Sequence, residues 1–121
     1  MGSSILDTDR VSSLLELDTP NAEDSFFADL VAEFSTEADQ LIRSLKRALL
    51  QQDNVACAAS SHSLKGASLN LGAIALVEVC EAIEGLARQN HLSQVSSRLA
   101  ELDLLYQSTI QALETLKPQA V

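Results

Sequence analysis

Apolar side chains return every three or four residues along four long stretches of this chain, and that spacing constrains its fold more than any other feature. From Glu23 to about Gln51 they fall at Phe26/Phe27, Leu30, Phe34, Ala38, Leu41, Leu45 and Leu49. Such steps keep a stripe on one side of an α-helix, whereas a half-buried strand would alternate. The segment Ala73 to Gln89 repeats the spacing with Leu76, Val79, Cys80, Ile83, Leu86 and Ala87, and Ser93 to Leu116 repeats it with Val95, Leu99, Leu102, Tyr106, Thr109, Leu113 and Leu116. A short stretch, Asp7 to Leu17, carries Val11, Leu14 and Leu15 in the same way. Only 4 glycines, 2 prolines and 3% aromatics occur in 121 residues, which favours helix over sheet.

Cap chemistry divides the pattern. Asp18-Thr19-Pro20-Asn21 is a turn that can also start the next helix, with Pro20 or Asn21 near its first position. Asp53-Asn54 caps a third helix, Leu71-Gly72 forms a junction, Asn90 closes the fourth helix and Lys117-Pro118 stops the last. Helices are predicted over about 7–17, 22–51, 54–70, 73–89 and 93–116. Short connections between amphipathic helices imply an all-α fold, an antiparallel up-down-up-down four-helix bundle with a short additional N-terminal helix across one end. Lacking internal repeats, low-complexity segments and long linkers, residues 1–121 read as a single domain, too small to carry a catalytic domain with its own nucleotide site.

Charge narrows the partners. Eight basic residues against seventeen acidic ones leave a formal charge of -9, which repels nucleic acid and anionic membrane alike, so protein partners are expected of a monomer. No apolar run reaches the roughly 20 residues of a membrane span, and Met1-Gly2-Ser3-Ser4 lacks the features of a signal peptide. A cytoplasmic location is expected. Cys57 and Cys80 fit that compartment as reduced, buried small hydrophobes.

The third helix holds the chemistry. At about 100° per residue, Cys57, Ser60, Leu64, Ala67 and Leu71 form its core stripe, and His62 lies opposite. Around His62 the same arithmetic places Val55, Ala58, Ala59, Lys65, Gly66 and Leu69, a small and apolar surround that suits docking better than solvation. A neutral imidazole offers a ring-nitrogen lone pair near pH 7 and can attack an electrophilic phosphorus without a separate base. Lys65, at i+3, can neutralise phosphoryl oxygens. Gly66, at i+4, costs the helix about 0.5 to 1 kcal/mol relative to alanine, which suggests that a side chain there would block access. Glu84, 84 − 62 = 22 residues later, falls on the flank of the fourth helix beside Val77 and can accept the proton-bearing nitrogen of His62. The competing reading pairs Glu84 with Arg88 at i+4 on the surface. His91, at a helix junction without a neighbouring cation, reads as a surface or capping residue.

At these residues the chain resembles the histidine-containing phosphotransfer (HPt) domain family of multistep two-component signalling. The family motif, His-x-Leu-Lys-Gly followed by two small residues and a glycine junction, is matched by His62, Leu64, Lys65, Gly66, Ala67, Ser68, Gly72 and Ala73. Family members carry Gln or Glu 22 residues after the histidine and a Cys in the fourth helix, matched by Glu84 and Cys80. The resemblance implies that Nε2 of His62 takes a phosphoryl group from a receiver-domain phospho-aspartate and passes it to another receiver aspartate. It implies as partners the receiver domains of response regulators and of a hybrid sensor histidine kinase, with Val55, Ala58, Ala59 and Leu69 as the docking patch. The chain then needs no cofactor, magnesium belongs to the receiver, and the protein is a phosphocarrier without kinase activity. Glu84 stands where many members have Gln; chemotaxis kinases carry a carboxylate there, so direct phosphorylation by such a kinase is the alternative. A metal-binding bundle using His62, Glu84 and His91, or an adaptor without phosphorylation, are the rivals from other classes.

Overall fold

A computed structural model describes residues 5–18 and 25–116 of the chain. The described residues form five helices: α1 (Thr8–Leu15), α2 (Phe26–Leu50), α3 (Asn54–Leu71), α4 (Ile74–Arg88) and α5 (Leu92–Thr115). Helices α2 to α5 make the antiparallel four-helix bundle, with α3 between α2 and α4 and with α5 returning to α2. The fold class expected from the periodicity is the one observed. The turn residues Thr19, Pro20 and Asn21, the stop at Lys117-Pro118 and the segment Met1 to Ser4 lie outside the described residues.

Local chemistry sets the ends. The Asp53 carboxylate accepts from the Ala56 N–H at 3.0 Å and starts α3, one residue after Gln52 has taken φ +54° to leave α2. Gly72 ends α3 in the left-handed region at φ +80°, where the Ala73 N–H reaches back to the Ser68 carbonyl at 2.8 Å. Asn90 does the same after α4 at φ +62°, and the His91 N–H bonds the Leu86 carbonyl. Arg10 of α1 donates from Nε to the Asn70 carbonyl at 2.9 Å, and the Ala75 N–H bonds the Ile5 carbonyl, so the N-terminal segment closes the α3–α4 end of the bundle.

Helix α2 begins at Phe26, later than the predicted residue 22, because Ser25 is its cap and accepts from the Ala28 N–H at 3.0 Å. Asp18 reinforces this cap from α1's side of the connection, accepting from the Phe26 and Phe27 N–H groups and from the Ser25 hydroxyl. Its stripe is also displaced: Phe27, Val31, Phe34, Ala38, Ile42, Leu45 and Ala48 are buried, whereas Leu30, Leu41 and Leu49 are only partly so and Phe26 is exposed. Packed against both α3 and α5, this helix buries an arc wider than one residue per turn, centred between its two neighbours.

The same cause corrects the stripe of α3. Ser61 and Ser68 are fully buried, while Ser60 and Ala67 are intermediate. The buried hydroxyls cost little, since Ser61 donates to the Cys57 carbonyl at 2.8 Å and Ser68 to that of Leu64 at 2.7 Å. Ala58, expected on the docking face, belongs to the core at 8% exposure. It lies 65 − 58 = 7 residues, two turns, from Lys65, on the flank that α4 covers. At the far end of the bundle Leu116 lies just past α5 and is exposed, not part of the core.

Candidate functional site

His62 stands in the middle of α3 with its side chain 63% exposed, and its Nδ1 lies 3.1 Å from Oε2 of Glu84 on α4. The Glu84 side chain is only 8% exposed, so it is not the surface residue of the competing reading. Burial alone would raise its pKa, but Lys65, Arg88 and His62 outweigh burial and lower it to about 2. A carboxylate that is ionised at neutral pH can only accept. The contact is therefore a hydrogen bond when Nδ1 carries the proton, which leaves the lone pair of the imidazole on Nε2, across the ring from Glu84.

Three groups from two helices converge on this carboxylate. Lys65 Nζ lies 2.8 Å from Oε1 as an ion pair. Arg88 donates from Nη2 at 2.6 Å and from Nε at 3.1 Å to Oε2, the oxygen that also faces His62. The i+4 pair with Arg88 and the contact with His62 thus exist together. That Lys65 rests on Glu84 was not read from the sequence, for a helical wheel locates a residue on its own helix and not the end of a four-carbon stem on the next.

The surround divides in two. Val55 (73% exposed), Ala59 and Leu69 lie open on the His62 face, Val55 and Leu69 each seven residues from it, whereas Ala58 is withdrawn. A Cβ built at Gly66 would meet nothing within 4 Å, so packing within the chain does not require glycine there. Beneath the cluster, burial pushes the Cys80 thiol up to about 12, with nearby Lys65 lowering and Glu84 raising it. Cys57 is also raised, by burial and then by Asp53, and both cysteines are free and buried. His91 sits exposed at the start of α5, where its Nδ1 lies 3.2 Å from the Gln94 amide. Among the described residues no three His, Cys, Asp or Glu side chains are grouped to hold a metal ion, and no helix is long and apolar enough to cross a membrane.

The family model of the Hpt domain matches residues 29–116, which include all of α3 and α4. The chain belongs to the Hpt domain family. The crystal structure of histidine-containing phosphotransfer protein B from Pseudomonas aeruginosa PAO1 is similar to this Hpt domain at a TM-score of 0.82 and 26% identity, covering 94% of this chain and 95% of that one. No curated protein sequence matches. Hpt domains are histidine phosphotransfer proteins of phosphorelays that interact with receiver domains, and the Hpt match here spans the helices that bring His62, Lys65 and Glu84 together.

Proposed function

We propose that this Hpt domain accepts a phosphoryl group on Nε2 of His62 from the phospho-aspartate of one receiver domain and passes it to an aspartate of another. The observation that carries the reading is an exposed imidazole whose Nδ1 is held at 3.1 Å by a buried carboxylate. Attack by the Nε2 lone pair forms an N–P bond as the P–O bond of the acyl phosphate breaks, and the aspartate leaves as a carboxylate. The Nδ1 proton stays in place and faces Glu84, which stabilises the cationic ring of the phosphohistidine. Return transfer reverses these steps on the second receiver.

In this reading His62 is the phosphoacceptor, Lys65 balances charge on the phosphoryl oxygens, Gly66 leaves the approach open and Glu84 orients the ring. Val55, Ala59 and Leu69 supply apolar contact to the receiver, which brings its own magnesium. The five helices share one core, which supports residues 1–121 as a single domain, taken here as monomeric and cytoplasmic. A second reading, direct phosphorylation by a chemotaxis-type kinase domain, is favoured by the carboxylate at Glu84 where many relatives carry an amide.

Incubation with a phosphorylated receiver is expected to move an acid-labile, base-stable label onto the chain, and His62→Gln should abolish it. A label that persists in that variant removes His62 from the mechanism. Labelling by ATP and a kinase domain with no receiver present would select the second reading.

A further inference from the structure

We propose that Arg88 is a positioning residue of the transfer site, holding the Glu84 carboxylate on His62 while Lys65 leaves it for the phosphoryl group. The inference rests on the function proposed above. A phosphoryl group on Nε2 would compete with Oε1 of Glu84 for the Lys65 ammonium, which lies 2.8 Å from that oxygen. Its flexible four-carbon stem lets it move between the two anions. Withdrawal of Lys65 with nothing in its place would strand a buried anion, which is costly.

Arg88 removes that obstacle. Its guanidinium makes two contacts with Oε2, at 2.6 and 3.1 Å, from a side chain that is 63% exposed. Placed at i+4 from Glu84 and in the last turn of α4, it is held there by helix geometry and by the helix dipole, independently of Lys65. The charged groups gathered at the Glu84 carboxylate beside His62 are Lys65 on α3 and Glu84 and Arg88 on α4, and with a neutral ring their formal sum is −1 + 1 + 1 = +1. A surplus positive charge suits an incoming phosphoryl dianion. An isolated surface i,i+4 pair would do none of this, because its carboxylate would be hydrated and unshared.

The test is a double-mutant cycle in the full chain, measured as the rate of label transfer from a phosphorylated receiver between pH 6 and 9. Arg88→Ala is expected to slow transfer about five- to tenfold, the scale of coupling between charged neighbours, and Arg88→Lys to recover most of it. Without Arg88 the ammonium of Lys65 stays on Glu84, so Lys65→Ala should cost much less in the Arg88→Ala background than in the parent. Additive losses, or an unchanged rate in Arg88→Ala at every pH, would overturn the assignment of Arg88. Failure of the parent protein to label, or labelling that survives His62→Gln, would instead overturn the transfer reading itself.

Discussion

The α3–α4 seam and the α2–α5 seam use polar residues in opposite ways. Across α2 and α5, Lys46 Nζ meets Asp103 at 3.0 Å with both side chains more than two-fifths exposed, and the Tyr106 hydroxyl donates to the Ser35 carbonyl at 3.0 Å beside the Phe34 ring. The ion pair there belongs to its two members alone and has ready access to water, while the half-buried Tyr106 hydroxyl is satisfied by Ser35. Across α3 and α4 a single buried carboxylate is shared by an imidazole, an ammonium and a guanidinium. The first arrangement fastens helices that would pack without it. The second holds charge in excess of what packing needs, as expected where a reaction has to be stabilised and not only a fold.

The strongest way to break the contrast is Glu84→Ala. Loss of a carboxylate that orients a reactive imidazole should slow transfer about 10- to 100-fold, by analogy with the partners that orient metal-bound histidines, while the helical circular dichroism spectrum stays that of the parent. An unchanged rate would reduce Glu84 to a structural ion pair.

Acid should find the same seam. The pKa of Glu84 is lowered in the folded chain to about 2, so its contribution to stability is fully present above the ordinary glutamate range and is lost as pH falls from about 4.5 through 2. Thermal melts of the parent and of Glu84→Gln should therefore diverge above pH 4.5 and converge toward pH 2. Parallel curves throughout that window would show that the three partners do not favour the ionised form.

The smallest effect belongs to the other seam. Lys46→Ala should cost less than about 1 kcal/mol, as exposed pairs do, and leave phosphotransfer unchanged. A larger loss of stability, or any change in transfer rate, would mean that the two seams are coupled.

Much of this was legible in the chain itself. Capping at Asp53, the left-handed residue at Gly72, and His62, Lys65 and Gly66 sharing an outward side of α3 follow from side-chain chemistry and the turn of one helix. Three features were not: the burial of Ala58 and Ser61, the reach of Asp18 as far as the Phe26 and Phe27 N–H groups, and the arrival of Lys65 on Glu84 beside its i+4 partner Arg88. Sequence determined the helices, their ends and the nucleophile's register, because those depend on neighbours within a few residues. Only the tertiary structure decided which flank of α3 lies under α4, and with it that Lys65 reaches the carboxylate, because a helix's buried arc is set by the helices packed on both its sides.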